Sequence, residues 1–285
     1  MMASEGVRTH HHLWHFVRSS DNWEALSPEN RQSLQAQGWM APRFENEPGS
    51  GVDFLGMHRE MISMVNAWLV AEHDLHWPSV TGWNPIPWEA DNVDWPVPEW
   101  QQQRPTWASE ELWASFTETA LAMRSSARIA QMRRITETVR DPGWLRTQTL
   151  DQLGSALEWS IHGWMHIRWS GKPHEDSFSS AVDNDWLFLP WSSHVNRHFW
   201  KLHGWIDARI GDWEAANGTT AELGQAWSGP AVETSAHHAH GHGDGHSMHS
   251  AEFALLRFLP RIDRVPMPMR IRQDVVESLL DWQPD

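Results

Sequence analysis

The chain has 285 residues, with no cysteine and no tyrosine but 22 tryptophans and 19 histidines. Its 22 basic and 37 acidic residues leave a net charge of −15, which argues against a nucleic-acid backbone or an anionic membrane as partner. Without thiols there is no disulfide, no thiolate zinc site and no cysteine nucleophile. No apolar run reaches the roughly 18 residues that a membrane span needs, and the opening MMASEGVRTHHHLWH lacks an apolar signal core, so a cytoplasmic protein is expected.

In chain order, residues 10–20 read as a short helix bearing histidines and Trp14. Ser27-Pro28-Glu29 is a helix start, with serine as N-cap and proline in the first turn, and the helix stops near Gly38. Residues 41–53 are loop. From Asp53 to about His73, apolar residues recur at helical spacing. Residues 77–107 carry six prolines and six tryptophans, which precludes regular helix; the expectation is a long irregular loop packed down by indole rings. Helix is expected again over 109–139, broken at Asp141-Pro142-Gly143, then over 147–168 and 193–213, with loop at 171–190. Residues 217–250 contain AHHAHGHGDGHSMH, a low-complexity run. The last segment combines the Pro-punctuated PRIDRVPMPMRI with a short helix, 273–282.

These elements predict a mainly α fold, a helical bundle with long Trp/Pro-rich loops and little β structure. The organisation expected is a bundle over 1–216, a flexible His-rich loop over 217–250, and an extension over 251–285 packing on the same domain.

Two His-x-x-x-His pairs stand out, His11/His15 and His162/His166. Residues four apart on a helix share a face, so two imidazoles can aim at one ion about 2 Å away. Two single histidines in helical, aromatic-rich surroundings, His58 and His203, raise the total to six. Neutral imidazoles without thiolate suit copper, zinc, iron or nickel. A His-Glu-x-x-His zinc hydrolase is unlike this chain, because His12 and Gly163 follow the first histidine of each pair. Ferritin-like di-iron sites need Glu-x-x-His, which does not occur. The all-histidine count points to copper. Asp207 reads as an acceptor orienting a ligand ring or as a helix-surface acid. Glu158 reads as a base or water-holding residue or as a solvated acid.

At these motifs the chain resembles the type 3 copper family, the arthropod hemocyanins and phenoloxidases, with tyrosinases more distant. HHHLWHFV and VDFLGMHREMISMVNAWL resemble its copper-A helices; LEWSIHGWMHI and NRHFWKLHGWID resemble its copper-B helices. The resemblance covers about a quarter of the chain. It implies two copper ions, one on His11, His15 and His58 and the other on His162, His166 and His203. Departures are Asn196-Arg197 where the family has Asp-Pro, Gly163 where it often has Asn, and Gly49 where the tyrosinases have a histidine.

The function implied is activation of dioxygen to oxidise phenol-, catechol- or aminophenol-like aromatics, with Trp14, Trp159, Trp164 and Trp205 lining the substrate space and Glu158 and Asp207 assisting. The alternatives are a dioxygen carrier or sensor without turnover, and a copper storage or delivery protein. A copper donor acting through the run 237–249 is a further expected partner.

Overall fold

The computed structural model describes residues 2–73, 77–101, 103–171, 181, 184–231 and 270–283. Among them it is helical, with no strand. The helices are α1 (Glu5–Arg18), α2 (Ser20–Ala25), α3 (Pro28–Ala36), α4 (Ser50–Ala71), α5 (Glu110–Met123), α6 (Ser126–Thr138), α7 (Pro142–Thr147) and α8 (Leu150–Leu157). A π-helical turn (Glu158–His162) leads into α9 (Gly163–Arg168), followed by α10 (Pro190–Ser193), α11 (Arg197–Asn217) and α12 (Gln273–Leu280). The mainly α expectation holds. The His-rich run 237–249 and most of the Pro-punctuated segment lie outside the described residues.

Local chemistry sets these boundaries. Ser27 caps α3 by accepting from the Asn30 amide, with Pro28 in the first turn. The single helix expected over 109–139 is two helices, because Ser125 stops α5 and caps α6 by accepting from the Arg128 amide. The helix expected over 147–168 begins with a full capping box at Thr149 and Gln152. It then widens into the π turn, whose last residue is His162 of the second histidine pair; such turns recur at functional sites.

Two glycine contacts bring backbones together around the core. A Cβ on Gly51 would sit 2.0 Å from the Asp151 carbonyl oxygen, and one on Gly154 would sit 2.0 Å from the Gly51 oxygen, so α4 and α8 cross in direct backbone contact. The same crossing lets Asp151 accept from the Gly49 and Gly51 amides at 2.8 Å, placing a carboxylate on the N-terminus of α4. A Cβ on Gly82 would lie 2.3 Å from the Trp205 nitrogen, which seats the 77–101 loop on α11 beside His203.

The tryptophans serve as both filler and donor. Trp164, Trp200 and Trp213 donate their indole N–H to the carbonyls of Met123, His194 and Gln148, and Trp14 donates to Trp227. An apolar body with one N–H can bury irregular chain and still satisfy its carbonyls. Residues 218–231, grouped with the His-rich run by composition, instead strap across α1 and α4. The Trp227 amide donates to Asp53. The C-terminal segment packs on the same bundle, with the Arg272 amide on the Trp159 carbonyl and Thr138 on Leu279.

Candidate metal centre

All six histidines singled out by spacing arrive at one buried place. His11, His15, His58, His162, His166 and His203 are each no more than 2% exposed. They come from α1, α4, the π turn with α9, and α11. Within the pairs, ring centroids are 4.8 Å apart for His11/His15 and 4.6 Å for His162/His166. Across the centre, His58 and His203 stack at 4.9 Å with planes 6° apart.

Backbone carbonyls orient three of the rings. Nδ1 of His58 faces the Phe54 oxygen at 2.7 Å, Nδ1 of His203 faces the Phe199 oxygen at 2.7 Å, and Nδ1 of His166 faces the Leu187 oxygen at 2.9 Å. A carbonyl only accepts, so each ring carries its proton on Nδ1 and presents Nε2 as a bare lone pair. Nε2 of His58 and of His166 finds no partner among the described residues. Nε2 of His203 faces Nε2 of His162 at 3.3 Å, and Nε2 of His15 faces Nε2 of His11 at 3.1 Å.

Burial is the first cause holding all six imidazoles below their ordinary titration range, and for all but His166 neighbouring basic groups add to it. His58 is brought down to about 3 and His166 to about 4; His11, His15, His162 and His203 lie well below the ordinary value. They are neutral, the form that ligates metal. A buried lone pair without a partner costs about 1–3 kcal/mol, and several converge on one volume. A cation resolves that convergence.

Two sets of three have donor nitrogens mutually within 4.8 Å: His162/His166/His203, and His11/His58/His203. The first is the set expected for one ion. The second has His203 in the place expected for His15, which belongs to neither set among the described residues. One lone pair serves one ion. Two further imidazoles stand beside the second set: His15, whose Nε2 is 3.1 Å from that of His11, and His194, whose ring is 4.9 Å from that of His11 and whose Nε2 has no partner among the described residues.

Glu158 is not a solvated acid. It is 1% exposed, and both of its oxygens accept from Arg18, at 2.7 and 3.2 Å. Arg18 also donates to the Ser50 carbonyl and covers the Trp14 ring at 4.0 Å. Arg18 lies three residues beyond His15, and Glu158 lies four before His162. The pair therefore bolts the two histidine-bearing segments together beneath the site. Burial pushes the Glu158 carboxyl up against the pull of Arg18.

Asp207 does not orient His203, since the Phe199 carbonyl already does. It pairs with Arg59, which follows His58, and so ties α4 to α11 at the surface. The tryptophans expected to line a substrate space are structural: Trp14 packs edge-on against His15, and Arg209 covers Trp205. The pocket that reaches the histidines is lined by methionines instead, namely Met57, Met61 and Met64.

Sequence reasoning missed a seventh histidine. His194 is 1% exposed, its ring lies 4.9 Å from that of His11, and its Nδ1 faces the Pro190 carbonyl at 2.8 Å. His198 stands four residues on, the same His-x-x-x-His spacing, but the break between α10 and α11 separates the two, so they share no helix face and only tertiary packing brings His194 to the cluster.

Compared with known proteins, the chain matches no family model and no curated sequence. Among the described residues, no helix is long and apolar enough to cross a membrane.

Proposed function

We propose that the protein is a dinuclear copper oxidase that uses dioxygen to oxidise phenol-, catechol- or aminophenol-like aromatics. One observation carries this reading: six neutral, buried imidazoles from four helical segments turn their Nε2 atoms into a common volume. No carboxylate or thiolate joins either set of three, and imidazole-only donors suit copper, which stands at the top of the divalent affinity order. In this reading His162, His166 and His203 hold one ion, and His11, His15 and His58 hold the other. Bound there, a copper pair supplies the two-electron chemistry that couples dioxygen reduction to aromatic oxidation.

The chain's own residues do the rest. The carbonyls of Phe54, Leu187 and Phe199 fix the ligand tautomers, as ligating histidines generally require. Phe54 and Phe199 press on His58 and His203 at 4.2 and 4.0 Å between ring centroids and keep water away. Arg18 and Glu158 hold the two halves in register.

The test is metal content and the optical spectrum of copper-loaded protein, reduced and then exposed to oxygen. Two coppers per chain, an intense near-ultraviolet band that bleaches on reduction, and consumption of a catechol are expected. One copper, or bound zinc without such a band, removes the dinuclear reading. A reversible band with no substrate loss favours a dioxygen carrier.

A further inference from the structure

A cavity of about 250 Å³ runs between α1, α4 and the 228–231 strap, and it reaches the histidine cluster at His11. The buried end is formed by Val7, His11, Met57 and Met61. The outer end is formed by His10, Glu60, Met64 and Ala231, of which Glu60 and Ala231 are exposed. The cavity thus connects solvent to a candidate ligand ring on the His11/His58 side of the centre.

Size and wall chemistry restrict what fits. An apolar cavity of roughly 150 Å³ accommodates a benzene ring, so this one has room for an aromatic ring with a short side chain. Met57, Met61 and Met64 lie on one face of α4 at helical spacing. Thioethers are flexible and make favourable contacts with aromatic rings, so this wall moulds to a flat ring.

Charge restricts it further. Glu60 is the one formal charge among the lining residues. It makes no ion pair among the described residues, and the neighbouring Arg59 is engaged by Asp207. His10 turns its Nε2 onto the Pro230 carbonyl at 3.1 Å, so that nitrogen is already engaged. The chain's net charge of −15 has the same sign as Glu60. An anionic ligand is therefore repelled at the mouth and a cationic one attracted.

We propose that this pocket is the substrate port and that it selects single-ring aromatics bearing a cationic amine, with Glu60 as the specificity-determining residue. The role as substrate port rests on the oxidase reading above, whereas the binding preference can be measured without it.

The experiment uses three probes that carry no ring hydroxyl: 2-phenylethylamine, 2-phenylethanol and phenylacetate. Their Kd values are measured by calorimetry on the full chain, both copper-loaded and metal-free. The expected order is amine tightest and carboxylate weakest. Glu60→Gln weakens the amine by roughly three- to tenfold, the scale of an exposed ion pair or slightly more, and erases the order; Glu60→Lys inverts it. Met61→Trp, which fills the buried end, weakens all three probes, and Met64→Trp at the outer end does the same should the first variant fail to fold. Equal Kd values for the three probes, an order that Glu60→Gln leaves in place, or probe binding untouched by the tryptophan variants overturns the proposal. If the order appears but copper-loaded protein lacks the near-ultraviolet band, the selective pocket stands and the oxidase reading falls. If the band appears without the order, the reverse holds.

Discussion

The two halves of the histidine cluster are built alike in outline and differ in how they are held. Each has a His-x-x-x-His pair and a single histidine whose Nδ1 is fixed by the carbonyl of a phenylalanine one turn earlier. In the second half, His166 is also anchored by the Leu187 carbonyl, while Nδ1 of His162 has no partner among the described residues. In the first half, neither Nδ1 of His11 nor that of His15 has a partner among the described residues, and the open cavity touches His11. One half has the additional anchor and the other faces the entrance. The lesson is that equal spacing in sequence yields pairs on one helix face but unequal anchoring, because the carbonyl that holds a ring can come from far along the chain.

The largest effect expected from disturbing this arrangement is at the bolt between the halves. Arg18→Met leaves Glu158 buried and uncompensated, at a cost of about 3–5 kcal/mol. Urea unfolding of the metal-free protein measures it; a loss below about 1 kcal/mol would mean that the pair does not hold the halves together.

The two phenylalanines sharpen the comparison. Both are fully buried, so truncation to alanine costs about 3–5 kcal/mol in either half. Phe199 touches the rings of His11, His166, His194, Trp200 and His203, whereas Phe54 touches those of His58 and His162. Phe199→Ala should therefore be the more destabilising, by about 1 kcal/mol, and should weaken metal retention in both halves. Equal unfolding midpoints for the two variants would show that Phe199 does not bridge them.

Beside the bolt, burial and the neighbouring Glu158 push the Glu45 carboxyl up to about 8. The folded state keeps that proton over a range in which the unfolded chain has released it. Stability contributed by this group is therefore complete below the ordinary carboxylate range and declines as pH rises toward 8. Glu45→Gln should raise stability by about 2 kcal/mol at pH 8, allowing for solvent access, and flatten the pH profile between about 4.5 and 8. Denaturation curves at pH 5 and pH 8 decide this, and identical gains at both would contradict it.

The smallest effect belongs to the surface tie between the halves. Arg59 and Asp207 are 36% and 21% exposed, and a double-mutant cycle should return at most about 1 kcal/mol, falling with added salt.

Much of the site was legible in the sequence because helical periodicity is local. His11/His15 and His162/His166 announce themselves by spacing, and His58 and His203 sit within strongly apolar helical patterns. The cap at Ser27 and the irregular Trp/Pro loop were equally readable, since serine, proline and indole act on their nearest neighbours. The split at Ser125 was not, because Arg-Ser-Ser suits a helix surface as well as a cap. The π turn, the burial of Glu158 on Arg18 and the arrival of His194 were not legible either, as each depends on partners far along the chain.

The sequence by itself determined that this chain would form helices carrying six histidines on inward faces, since residue type and spacing suffice for that. Tertiary structure alone decided which imidazoles face one another, that methionine rather than tryptophan lines the way in, and that Glu158 is bound rather than solvated. Those outcomes turn on contacts between residues many positions apart, such as Arg18 with Glu158 or Gly51 with Gly154, which no local pattern encodes.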